Sequence, residues 1–203
     1  TTAATGSGSA VAAAVLAPSA SANEWGNIRL TTGTTNDGVS SMSLPLQCQG
    51  DYNAVMAIRY RISAIANVKI EIGFRDSVAS TTGTVNVLDT PSFSASNGCC
   101  WVFDTDATTD TWAAEGVKAT SVATGVTLAT TAGGAAPVAD TYQTMVVALM
   151  EDNAYFSRYS ADGRKQGDTI MLTDCNTGSV NLAPAVFVQT RNTTSKNLDV
   201  DFF

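Results

Sequence analysis

Two stretches of strict alternation set the terms for everything else this chain can fold into. Met56, Ile58, Tyr60 and Ile62 alternate with Ala57, Arg59 and Arg61, and Val68, Ile70, Ile72 and Phe74 alternate with Lys69, Glu71, Gly73 and Arg75. Successive side chains of a strand point to opposite faces, so each stretch predicts a strand with one apolar and one polar face. The connection Ser63-Ala64-Ile65-Ala66-Asn67 is short enough for an antiparallel hairpin. The expectation is therefore two neighbouring strands of one sheet that share a wet, charged face.

Further strands are predicted at Cys99 to Phe103, Tyr142 to Met150, Ala154 to Tyr159, Ile170 to Thr173, Ala185 to Arg191 and Leu198 to Phe202. Asn97-Gly98, Asp162-Gly163 and Thr177-Gly178 punctuate them as turns, and Pro137 and Pro184 are expected just outside strands. Nothing reads as a long amphipathic helix, and no fixed-period repeat is visible, which removes solenoids and propellers. Many short strands divided by turns predict an all-β, two-sheet antiparallel sandwich of the jelly-roll type. At 203 residues the chain suits one such domain. Its first 24 residues are almost wholly Ala, Ser, Thr, Gly and Val, with no charge before Glu24. That composition is too small-residued for a core of its own and too apolar for a typical disordered tail. Residues 1–24 are read as an extended N-terminal arm and 25–203 as the sandwich domain. Ser9 to Ala22 superficially resembles a signal peptide, but no Lys or Arg precedes Arg29.

Charged residues make up 14% of the chain, below the roughly 25% of ordinary globular proteins, so the surface is neutral and hydroxyl-rich. The net charge of −7 and scattered basic residues argue against a nucleic-acid partner, because a polyanion would be repelled. No apolar run reaches the ~18 residues that suggest a membrane-spanning helix, so no membrane anchor is expected. Cys48, Cys99, Cys100 and Cys175 lack zinc-ribbon spacing and read as small buried hydrophobes, with disulfides as the alternative. On a strand Cys99 and Cys100 would face opposite ways, so only one can enter the core beside Cys48 or Cys175. The chain contains no histidine, which removes Ser-His-Asp and Cys-His chemistry. No cofactor is implied.

Several separated motifs, in order, carry a resemblance. They are the strand and acidic Thr-rich loop from Trp101-Val102-Phe103-Asp104 to Trp112, Ala136-Pro137-Val138-Ala139-Asp140-Thr141-Tyr142, Asn153-Ala154-Tyr155-Phe156 before Ala161-Asp162-Gly163, and the closing Leu198-Asp199-Val200-Asp201-Phe202. Together they resemble a concanavalin A-like domain, in the version found in tailed-phage virion proteins such as head decoration proteins and capsid fibres. The resemblance spans roughly Trp25 to Phe203. It implies a jelly roll, assembly into a symmetric virion and, in some members, glycan binding. The superfamily also contains laminarinase-type glycosidases with an E-x-D-x-x-E-like strand. In this chain Gly73 of Glu71-Ile72-Gly73-Phe74-Arg75-Asp76 stands where that pattern has Asp, so an enzyme is not expected.

The expected function is a non-enzymatic capsid decoration (cement) protein on the outer surface of a phage head, assembled in the host cytoplasm. Its partners would be the major capsid protein or other virion subunits, with further copies of itself in a homo-oligomer. The arm would anchor it by adding a strand to a neighbouring subunit's sheet edge. The alternative is a carbohydrate-binding adhesin of a head fibre or tail, with Trp112 and Tyr142 as glycan contacts, against the competing reading that Trp25, Trp101 and Trp112 fill the core. Asp104, Asp106 and Asp110 are secondary candidates for a hard cation, against a role in capping turns.

Overall fold

The computed structural model describes residues 3–7, 27–78, 82–88, 92–125 and 136–202. The first half of the chain forms β1 (Ala3–Ser7), β2 (Ile28–Thr31), β3 (Val39–Ser43), β4 (Val55–Ile62), β5 (Val68–Arg75), β6 (Val85–Val87), β7 (Ser92–Phe93) and β8 (Gly98–Asp104). The second half adds β9 (Ala113–Lys118), β10 (Ser121–Val122), β11 (Thr124–Gly125), β12 (Gln143–Met150), β13 (Asn153–Tyr159), β14 (Ile170–Thr173), β15 (Ala183–Thr190) and β16 (Asn197–Phe202). A single 3₁₀ turn, Gly50–Tyr52, is the helical content of the described residues. Two antiparallel sheets face each other. The front sheet runs β1-β3-β15-β5-β8-β9-β10 and the back sheet runs β11-β14-β13-β12-β4-β16-β2. The fold is the all-β jelly-roll sandwich that the alternating pattern predicts.

The core lies between the sheets, where every second residue of each strand points inward. Tyr60 and Phe156 from the back sheet meet Trp101, Phe103 and Trp112 from the front, all of them almost fully buried. Their rings pack edge to face, with Trp101 to Phe156 centroids at 5.4 Å and Trp112 to Tyr60 at 6.1 Å. That spacing suits the ring quadrupoles, which disfavour face-to-face stacking.

Both alternating stretches form strands, but they are not sheet neighbours. β4 lies in the back sheet and β5 in the front. The Ser63 amide donates to Asn197 of the back-sheet strand β16 (2.9 Å), whereas the Asn67 carbonyl accepts from Arg191 just beyond front-sheet β15 (2.8 Å). Five residues reach about 16 Å when extended, enough to cross the roughly 10 Å between sheets. Asn67 makes the final turn at φ 52°, a left-handed conformation that asparagine tolerates well. The two apolar faces therefore oppose one another across the core. Pro184 is likewise inside a strand, as the second residue of β15, where its missing N–H falls at the strand's entry.

Part of the arm is described. Residues 3–7 pair antiparallel with Val39–Ser43, from Ala3 opposite Ser43 to Ser7 opposite Val39. This part of the arm adds a strand to the edge of the chain's own front sheet. The remainder of the arm, and Trp25, lie outside the described residues. Among the described residues no helix is long and apolar enough to cross a membrane.

Candidate functional site

The polar face of β5 is the largest departure from expectation. Lys69, Glu71 and Arg75 are 2%, 3% and 4% exposed. They are covered by the segment carrying β6 and β7, which folds back over the outer face of the front sheet. Glu71 accepts hydrogen bonds from the Thr84 (2.5 Å) and Val85 (3.1 Å) amides and pairs with Lys69 at 3.0 Å. Lys69 also donates to the Val85 carbonyl, and Arg75 donates to the Thr82 carbonyl at 3.0 Å. Charges expected in water instead hold the cover in place. Burying a charge is tolerable when it is paired and hydrogen-bonded, and the Lys69–Glu71 pair with these backbone groups meets that condition. Gly83 lets the cover approach this closely, since a Cβ there would lie 2.3 Å from a Glu71 carboxylate oxygen. A second apolar cluster, Val85, Leu88, Cys100, Val102 and Ala113, seals the layer.

Where the cover ends, a cavity of about 150 Å³ opens at one end of the front sheet. Lys69, Asn86, Gln189 and Arg191 line it, with Phe187 among its walls. Asn86 and Gln189 offer amide donors and acceptors, and the two cations add N–H donors. This is smaller than the roughly 300–1,000 Å³ of a drug-sized site, so it suits one small polar unit of a larger ligand.

Arg191 gathers the aspartates. Its Nε donates to Asp104 at 3.0 Å and lies 3.2 Å from Asp106, a second nitrogen bonds the other Asp104 oxygen, and its third reaches Asp37 at 3.3 Å. Burial alone would lower the guanidinium's pKa, but the bonds and charges of these carboxylates hold it above its ordinary value. Asp104 also accepts the Asp106 amide at 3.1 Å, the turn-capping role weighed for it. Asp110 is exposed in the same loop. Calcium needs six to eight oxygens around one cation. Here a guanidinium already takes Asp104 and Asp106, and no group of three metal-ligating side chains forms among the described residues. The donor set does not fit a resident cation.

The two aromatic candidates are far apart in role. Trp112 is 0% exposed, in edge contact with Tyr60 and Trp101 and packed at a tilt on Phe103, so the expectation of a sugar contact there is corrected to core packing. Tyr142 stands on the outer face of the back sheet, with Arg59 and Arg61 at 4.4 and 4.9 Å from its ring and its hydroxyl accepting from Asn27 at 2.6 Å. The two guanidiniums lie against the ring as cation–π partners. Arg61 and Arg29 converge on Asp199 (2.7 and 2.6 Å); burial would raise this carboxyl's pKa, but the guanidiniums hold it below the usual carboxylate range.

Two further carboxylates sit on the outer face of the front sheet. Glu71 is bound as described, and Glu115 on β9 is 1% exposed, with one carboxylate oxygen lacking a hydrogen-bond partner among the described residues. Burial pushes Glu115 up to about 7. Gly73 lies between the neighbouring strands so tightly that a Cβ would fall 2.2 Å from the Cys99 carbonyl oxygen. No side chain fits there, a carboxylate least of all.

Neither a family model nor a curated protein matches the sequence. Solved structures with a similar fold include the VIP36 exoplasmic/lumenal domain in its Ca²⁺/Man3GlcNAc-bound form, with TM-score 0.56 and 14% identity over 86% of this chain and 75% of that one. Its metal-free form gives TM-score 0.54 and 12% identity, covering 86% and 76%. Peanut lectin with a 9mer peptide gives TM-score 0.52 and 11% identity, covering 98% of this chain and 90% of that chain. At such identities the likeness speaks for the fold: a lectin-like, concanavalin A-like sandwich.

Proposed function

We propose that this chain is a non-enzymatic carbohydrate-binding module displayed on a tailed-phage virion, as part of a head fibre or tail. The observation that carries the reading is the amide- and cation-lined cavity at the end of the front sheet, on a fold shared with lectins. Sugar hydroxyls both donate and accept, so the Asn86 amide can satisfy them, and Gln189, whose side-chain nitrogen donates to Asp37 at 3.1 Å, offers its carbonyl oxygen and remaining N–H. Lys69 and Arg191 are held by their carboxylate partners and shape the cavity instead of adapting to the ligand. A non-enzymatic role is supported by Gly73, which excludes a carboxylate, and by Glu71, whose oxygens are committed to the cover. The test is glycan-array binding by the native chain, with Asn86→Ala and Gln189→Ala. Each variant is expected to bind at least about tenfold more weakly with an unchanged melting curve. Equal binding by native and variant chains, or no glycan bound at all, would overturn the assignment.

A second reading, capsid decoration, rests on the outer face of the back sheet. Val55, Ala148, Tyr155 and Met171 are register partners in one row across β4, β12, β13 and β14, and Val55 and Met171 are 65% and 48% exposed. A contiguous apolar row marks a contact surface more than isolated exposed residues do. Here it would meet a capsid subunit, and repeated contacts over the head would add stability with occupancy. Val55→Asp with Met171→Asp is expected to abolish occupancy of purified capsids while leaving glycan binding intact. Undiminished occupancy would remove this reading.

A further inference from the structure

Cys99 lies on the core face of β8 and Cys100 on the opposite face, under the β6–β7 cover. Directly across from Cys99 on β9 is Gly116. A Cβ built on Gly116 would lie 2.6 Å from the Cys175 Cβ and 3.2 Å from its Cα. Cys175, in the loop after back-sheet strand β14, therefore fills the space that a side chain at 116 would occupy. Directly opposed residues of an antiparallel pair have Cβ atoms about 4.5–5.5 Å apart, which puts the Cys175 side chain next to that of Cys99. Both residues are fully buried, and the Cys175 thiol donates to the Asp152 carbonyl at 3.3 Å and to the Asn176 side-chain oxygen at 3.4 Å. All four cysteines are free thiols in this structure.

We propose that Cys99 and Cys175 are a disulfide-forming pair that staples the front sheet to the loop leaving the back sheet when the chain folds in an oxidising environment. The oxidant is a low-molecular-weight disulfide. One cysteine thiolate attacks it, giving a mixed disulfide and releasing one small thiol. The second cysteine then displaces the other small thiol, so the chain loses two S–H bonds and gains one S–S bond while the oxidant is reduced to two thiols. Full burial blocks the reagent in the folded chain, so the step belongs to folding or to transient opening. Positions 99 and 175 enclose a long loop, for which the chain-entropy model predicts the larger stabilisations. Cys48, half-buried at the bridge to Leu182, and Cys100, on the far face of β8, are placed outside the pair.

The experiment is to refold the full chain in a reduced/oxidised glutathione buffer, alkylate the remaining thiols in denaturant and map peptides by mass spectrometry. Expected are a Cys99–Cys175 linked peptide, two alkylated cysteines at 48 and 100, and a Tm higher by roughly 5–10 °C than the dithiothreitol-treated chain. Because Cys100 shares a peptide with Cys99, the linkage must persist in Cys100→Ala and Cys48→Ala and vanish in Cys99→Ala and Cys175→Ala. Four alkylated cysteines after oxidative refolding, or a linkage through Cys48 or Cys100, would overturn the proposal. This readout is independent of glycan or capsid binding.

Discussion

Trp112 touches three aromatic rings and no solvent, so its removal is a packing event. Trp112→Ala is expected to lower stability by about 3–5 kcal/mol in denaturant titration, through lost contacts and a residual cavity. Any loss of ligand binding should follow unfolding and disappear at low temperature. Glu115 gives a pH dependence whose sign is set by burial. The folded chain keeps this proton up to about pH 7, whereas the unfolded chain releases it near 4.5. Between those values the folded state binds more protons, so stability falls as pH rises and is level above about 7. The span corresponds to about 3 kcal/mol at most. Thermal melts should show a higher Tm at pH 5 than at pH 8, and Glu115→Gln should flatten that slope. Asp199 acts in the opposite direction and lower down, its contribution present above the ordinary aspartate value and lost in acid. Nothing in the residue order distinguished Glu115 from a surface glutamate, because its burial comes from β8 and the cover, not from its neighbours in sequence.

At the scale of elements, the β6–β7 segment is held by three side chains of one strand face. Gly83→Ala forces a methyl against the Glu71 carboxylate, which cannot swing away because Lys69 and two amides hold it. The variant is expected to cost about 1–3 kcal/mol. Hydrogen exchange at the Thr84 and Val85 amides should accelerate while the β12 and β13 amides stay protected. The alternation in β4 and β5 was legible from sequence, as were the bounds of β14 and the end of β13 at Tyr159, because inward-pointing residues are apolar at period two. Their sheet membership was not legible. A five-residue connection can close a hairpin or cross a sandwich, and the choice depends on which partner strands are available, β16 and β12 for one and β15 and β8 for the other. The Lys69, Glu71, Arg75 series did carry a signal, charges of alternating sign on one face of a strand. That pattern fits a wet ladder and a buried latch equally well.

For the whole molecule, the front sheet ends on β1, a short strand of small residues laid against β3. Deleting residues 1–7 would leave the core rings untouched and expose the β3 edge. The truncated chain is expected to melt cooperatively yet self-associate at rising concentration, since an open edge is a template for further strands. Analytical ultracentrifugation beside the full chain checks this. The all-β sandwich class and the lack of any histidine followed from residue order alone, because period-two patterning and the absence of a residue type are local facts. The crossing of β4 to β5, the conversion of a charged face into a latch, the capture of Asp104 and Asp106 by Arg191, the burial of Trp112 and the meeting of Cys99 with Cys175 were decided by the packed fold. Each depends on groups distant in sequence being brought together, and the free energy of a charge, a ring or a thiol is set by those neighbours.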